Sequence, residues 1–135
     1  MFAPETRILI IDDMVSIREL VRSTLHTLGF KHISEAEDGE QAYKMLVDQQ
    51  KTDHKIQLVI SDWNMPKLSG LDLLKKLRAT GEFSQLPFLL LTSEAERDQV
   101  TEAVLAGVSQ YVVKPFSTKI LEEKLKGAYN KHKSA

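Results

Sequence analysis

Short apolar runs and longer helix-period stretches alternate along this chain. Five runs read as strands: Arg7–Asp12, His32–Ala36, Ile56–Asp62, Pro87–Thr92 and Gln110–Lys114. The first, third and fourth are almost continuously apolar, as expected of strands buried on both faces of a parallel sheet. The second is more polar and suits an edge. Helix patterns fill the gaps. Ile17, Leu20, Val21, Thr24, Leu25 and Leu28 recur at the spacing of one helix face. Ser16 with Glu19 forms a capping box ahead of that stripe, Val15 with Leu20 a hydrophobic staple, and Gly29 is placed to stop the helix. Ser69, with Asp72 three residues on, opens a helix carrying Leu71, Leu74 and Leu77. A further stripe runs through Val100, Ala103, Val104 and Gly107. Ser117 caps a last helix, where Phe116 and Leu121 form a staple and Ile120, Leu125 and Ala128 continue the apolar face. Plain core packing accounts for these stripes. The polar stretch Asp48–Lys55 reads as a loop or a frayed helix end. Five β units alternating with five α units predict an α/β fold, a parallel sheet with helices on both faces. The pattern does not order the strands.

A chain of 135 residues fits one domain with one core. We expect a single domain over 1–135, its core from about 7 to 130, with no room for a DNA-binding output domain. The net charge of −1 offers no basic footprint for nucleic acid. The absence of cysteine excludes disulfides, thiolate catalysis and cysteine-based metal sites. The N-terminus has no charged start followed by an apolar core, so no signal peptide is expected. Runs such as Phe88 to Leu91 are too short to span a bilayer. These features describe a cytoplasmic monomer without membrane contact. His26, His32, His54 and His132 have no ligand spacing and read as surface or structural.

The strand ends change the picture. The first run ends on Asp12-Asp13, the third on Asp62, the fourth on Thr92 and the fifth on Lys114. If all are parallel strands, these groups project from one edge of one sheet, where open α/β sheets bind ligands. Clustered carboxylates repel, and either a proton or a hard cation relieves them. Mg²⁺ accepts a few carboxylates together with waters and phosphate oxygens. Lys114 offers a point cation and Thr92 a hydroxyl to phosphoryl oxygens. Pro115 sets a sharp turn after Lys114, and the bond between them can be cis.

Asp12-Asp13, the stretch Ser61-Asp62-Trp63-Asn64-Met65-Pro66 with Gly70, Thr92-Ser93-Glu94, and Tyr111-Val112-Val113-Lys114-Pro115-Phe116 together resemble the receiver domain of two-component response regulators. The resemblance runs from about Arg7 to Leu125 and is strongest to the single-domain chemotaxis regulators. It implies a flavodoxin-like sheet of order 2-1-3-4-5. It also implies that a histidine kinase phosphorylates Asp62, with Mg²⁺ held by Asp13, Asp62 and the backbone carbonyl of Asn64. Asp12 would contribute through a water of the shell, while Thr92 and Lys114 hold phosphoryl oxygens. Such a protein catalyses only its own phosphorylation and dephosphorylation.

The same resemblance implies a switch. Thr92 moves toward the phosphoryl group and Tyr111 turns inward, although a half-buried sheet tyrosine is the ordinary fate of such a residue. Ala95, Val100, Val113, Phe116 and Lys124 fall on the face where these regulators bind partners. The partners it implies are a chemotaxis kinase, the flagellar motor switch protein and a phosphatase. Trp63 is placed to report on the site, although a lone tryptophan more often packs. Alternatives are a phosphorelay carrier, a phosphate sink, and a Mg²⁺-dependent phosphohydrolase using an Asp nucleophile. Against the hydrolase, position 64 is Asn where such enzymes carry a second Asp, and no cap domain encloses a substrate. One departure stands out: Val47 to Gln57 is longer and more charged than in the usual chemotaxis type.

Overall fold

Residues 1–93 and 99–132 are described by a computed structural model. The strands are β1 (Arg7–Ile11), β2 (His32–Ala36), β3 (Leu58–Asp62), β4 (Phe88–Thr92) and β5 (Gln110–Val113). The helices are α1 (Val15–Thr27), α2 (Gly39–Gln50), α3 (Gly70–Arg78), α4 (Val100–Leu105) and α5 (Thr118–His132), with a short 3-10 turn at Gly81–Phe83. All strands pair in parallel in the order β2-β1-β3-β4-β5, the flavodoxin-like order.

Strand periodicity divides the core in two. Ile8, Ile10, Leu58, Ile60, Leu89, Leu91 and Val112 meet Val21 and Leu25 of α1 and Leu121, Leu125 and Ala128 of α5. The alternate positions Leu9, Ile11, Val59, Phe88 and Leu90 meet α2 through Ala42 and Leu46, α3 through its leucines, and α4 through Ala103. Both faces are thus covered, which is why β1, β3 and β4 read as almost continuous apolar runs. β2 is an edge strand, and its first four residues are at least partly exposed.

Several local expectations need correction. β1 stops at Ile11, β3 begins at Leu58, β4 begins at Phe88 and β5 ends at Val113, each shorter than the apolar run around it. Gln57 pairs with Arg7 just before the ladder begins, its N–H and its side-chain oxygen both engaged. Pro87 has no N–H to contribute. Ser16 does not cap α1: the helix starts at Val15, two residues earlier than that cap implies, behind Met14, which has no side-chain cap bond. Val15 and Leu20 are both exposed, so they form no staple. Val104 and Ile120 likewise lie in solvent rather than in the core. The other caps are as expected. Ser69 accepts from the Asp72 N–H at 3.1 Å and Ser117 from the Ile120 N–H at 3.1 Å. Gly29, at φ +100°, ends α1 as the amides of Gly29 and Phe30 turn back to His26 and Leu25.

Candidate functional site

The strand order reverses at β1. After β1 the chain enters α1 on one face of the sheet, and after β3 it enters α3 on the other. The turns leaving these neighbouring strands therefore diverge and open a crevice at their carboxyl ends. Asp12, Asp13 and Asp62 stand there, one carboxylate oxygen of each lying within 4.8 Å of the other two. Asp12 is 1% exposed and Asp62 8%, whereas Asp13 faces solvent.

The sheet ladder continues past the strands to fix this edge. The N–H groups of Asp12, Trp63 and Lys114 donate to the carbonyls of Ala36, Leu91 and Thr92 at 3.2, 3.0 and 2.7 Å. The β3–α3 turn then folds back, and the Gly70 N–H meets the Trp63 carbonyl at 2.9 Å. A Cβ at Gly70 would collide with the Asp62 carbonyl, so that position requires glycine. Ser61 Oγ donates to the same Asp62 carbonyl at 2.9 Å.

Lys114, which precedes a cis bond to Pro115, reaches across the crevice, and its Nζ donates to Asp62 Oδ1 at 2.9 Å. Its ammonium offsets part of the carboxylate charge. Thr92, fully buried at the end of β4, sits one strand away. Asn64 follows Trp63 on the turn and is exposed.

Asp12 carries the cost of this crowding. Burial first, then the charges of Asp62 and Asp13, push its carboxyl up to about 6, against the opposing Met14 N–H and Lys114. Its Oδ1 accepts from the Met14 N–H at 2.8 Å, while its buried Oδ2 has no hydrogen-bond partner among the described residues. A buried carboxylate oxygen without a donor, beside two further carboxylates, is a donor set that suits a hard divalent cation. The residues present therefore fit Mg²⁺.

The pH dependence follows. The unfolded Asp12 side chain ionises near 3.8 and the folded one at about 6. Between these values the native state keeps a proton that the unfolded chain has lost, so this group's contribution to stability falls as pH rises through the window. Above it the cost levels at up to roughly 3 kcal/mol. A bound divalent cation offsets that cost. Melts of chelator-treated protein should show the decline, Asp12→Asn should flatten it, and Mg²⁺ should raise the melting temperature more at about pH 7 than at about pH 4.5. An Mg²⁺ effect equal at both pH values would contradict this assignment.

The remaining expected positions gather around β5. Tyr111 is half-buried, with Lys124 Nζ 5.0 Å from its ring centroid. Val100, Val113 and Phe116 are half-buried, and Val113 is the register partner of Thr92. Ala95, together with Glu94 of the motif, lies outside the described residues. Trp63 is 4% exposed and packed into the core beside Val59 and Leu71. His132 is tied to Ser109 Oγ at 2.6 Å, and burial holds it below the usual imidazole range, helped by Arg78 and Lys131. His26, His32 and His54 are exposed. Residues Gln49, Thr52, His54 and Ile56 of the longer segment line a cleft of about 510 Å³ with Arg7 and His32, at the strand starts and so opposite the carboxylates.

Sequence reasoning missed Arg18, which is 8% exposed and donates to the Asp12 carbonyl. It also missed Gly39, where a Cβ would strike the Leu68 carbonyl of the β3–α3 turn.

The sequence model of the response regulator receiver domain matches residues 8–126. The chain belongs to that family. It is 47% identical over 119 residues to a protein named chemotaxis protein CheY-3 of Vibrio cholerae, covering 88% of each chain. It is 41% identical over 125 residues to chemotaxis protein CheY of Pseudomonas aeruginosa, covering 93% of this chain and 97% of that one. Among solved structures it is similar to the chemotaxis response regulator CheY4 of Vibrio cholerae, at a TM-score of 0.77 and 31% identity, covering 92% and 98% of the two chains. A receiver domain protein from Clostridium thermocellum superimposes at a TM-score of 0.83 with 26% identity, covering 96% and 98%. Receiver domains of this kind are signalling proteins rather than conventional enzymes, and the acidic cluster stands where this family carries its site.

Proposed function

We propose that this receiver domain accepts a phosphoryl group on Asp62 from a chemotaxis histidine kinase, and that the resulting charge switches a protein-binding face to control flagellar rotation. On this reading it acts as a cytoplasmic monomer. The observation that carries it is the Lys114–Asp62 contact at 2.9 Å inside the cluster of three carboxylates. A carboxylate nucleophile thus has a fixed cation at one oxygen and a cation-binding donor set beside it.

Transfer forms a bond between an Asp62 carboxylate oxygen and phosphorus as the phosphorus–nitrogen bond of a phosphohistidine breaks. The departing imidazole nitrogen takes the electron pair. Asp13, Asp62 and the Asn64 backbone carbonyl, with Asp12 behind them, would hold Mg²⁺, which would supply charge neutralisation at the transferring group. Lys114 holds a phosphoryl oxygen through its ammonium, and the Thr92 hydroxyl donates to another. Asp62 itself is nearly buried at the end of β3. No helix among the described residues is long and apolar enough to cross a bilayer.

The output face lies around β5. Val113 pairs with Thr92, and Tyr111 lies two residues earlier on the same strand, so movement of Thr92 is transmitted along one register. On the helices flanking β5, Leu105 of α4 and Ile120 of α5 are exposed while Val100, Phe116 and Lys124 are half-buried, and on this reading side chains from this face meet a partner. A phosphatase reaching the same crevice would end the signal.

Beryllofluoride, a phosphoryl mimic, tests the switch. Affinity for a flagellar motor-switch peptide should rise about 5–150-fold on its addition, the range of ordinary coupling between two sites. Tyr111→Ala should lose most of that gain. Equal affinity in both wild-type states would overturn the switch and favour the phosphorelay carrier or phosphate sink.

A further inference from the structure

We propose that Arg18 is a positioning residue of the cation site: its guanidinium fixes the peptide joining Asp12 to Asp13 and so sets where both carboxylates stand. The inference rests on the phosphoacceptor reading above.

Arg18 lies on α1 but points inward, at 8% exposure. A buried guanidinium must be paired and hydrogen-bonded to be tolerated. Here Nη1 donates to the Asp12 carbonyl at 2.6 Å and Nε to Glu35 Oε1 at 2.9 Å. Glu35 belongs to β2, and its other oxygen takes Arg22 Nη2 at 2.8 Å. One side chain therefore ties α1, the turn after β1, and β2 together.

The acceptor is the informative part. The Asp12 carbonyl belongs to the planar peptide shared by Asp12 and Asp13. Fixing that plane restrains the backbone on both sides of it, and both carboxylates hang from that backbone. The other polar groups of Asp12 are held as well: its N–H by the Ala36 carbonyl and its Oδ1 by the Met14 N–H. Its Oδ2 has no hydrogen-bond partner among the described residues and is free to face a cation or its water shell. Arginine suits this task because its rigid fork serves two acceptors in fixed directions, whereas a lysine ammonium does not. A role confined to stability would lower the melting temperature and leave the metal affinity of the folded protein alone.

The test is Mg²⁺ titration by calorimetry on folded wild type, Arg18→Lys, Glu35→Gln and Arg22→Ala, well below their melting temperatures. Arg18→Lys should bind Mg²⁺ about tenfold more weakly, the scale of losing an outer-shell contact. Glu35→Gln, which keeps the fold but loosens the anchor of Arg18, should show a smaller loss. Arg22→Ala, which touches Glu35 but not Asp12, should bind as wild type does. At saturating Mg²⁺ the acetyl phosphate labelling rate of Arg18→Lys should return toward wild type, and its Asp13 amide resonance should be shifted in the metal-free state. Wild-type affinity in both Arg18→Lys and Glu35→Gln would overturn the inference, as would an equal loss in Arg22→Ala. If wild type itself binds no Mg²⁺, the phosphoacceptor reading falls and takes this inference with it.

Discussion

Asp62→Asn should take up no phosphoryl group from acetyl phosphate or from a phosphohistidine donor, while its fold and melting temperature stay close to wild type. The effect is all or nothing because the substitution removes the attacking oxygen rather than weakening a contact. Asp13 stands beside Asp62 but is exposed, and it has no ammonium at hydrogen-bond distance among the described contacts, whereas Lys114 Nζ rests on Asp62. Asp12 is committed through Oδ1 to the Met14 N–H, and burial pushes its carboxyl up to about 6. Neither substitutes for Asp62. The fold survives because Asn occupies the same space, and the cost of losing the Lys114 ion pair is offset by relief of repulsion at Asp12. Labelling by radioactive acetyl phosphate together with a thermal melt checks both halves. Persistent labelling of the variant would show that another residue is the acceptor.

Asp13→Asn should weaken Mg²⁺ binding by about tenfold or more, which corresponds to at least about 1.4 kcal/mol. Asp13 is the exposed member of the cluster, so its carboxylate reaches a cation arriving from solvent without rearrangement of the core. Removing its charge also lessens the repulsion that raises Asp12, so the metal-free variant should be slightly more stable above pH 6 as it binds metal less well. That opposition of stability and affinity separates a ligand from a structural residue. Calorimetric titration and melts of the same samples measure it, and an unchanged affinity would remove Asp13 from the cation site.

The fold was legible where the chemistry of burial is simple. β1, β3 and β4 announce themselves because both faces of each are covered, so few polar residues interrupt them. The site was legible because its acids end those runs, where an apolar pattern stops abruptly at Asp12 and Asp62. The strand order came from resemblance, since no local pattern distinguishes β1 beside β3 from β1 beside β4. Helix caps were legible where a serine acts on its own helix, as Ser69 and Ser117 do. They failed at α1, where the Asp12 side chain takes the Met14 N–H and the turn serves the site rather than the helix. Leu20, Val104 and Ile120 fit an apolar stripe by spacing but face solvent. Arg18 was invisible for a different reason. A charged residue on a helix reads as solvent-facing, and its partner Glu35 lies 17 residues away on β2. Only the fold shows that the two meet behind Asp12.

The most direct test is to label wild-type protein with acetyl phosphate in the presence and absence of Mg²⁺, and to locate the phosphoryl group by peptide mapping. The account predicts one aspartyl phosphate, on Asp62, formed only when Mg²⁺ is present. Label on any other residue, label that forms equally well without Mg²⁺, or steady hydrolysis of generic phosphomonoesters with none retained on the protein would contradict it.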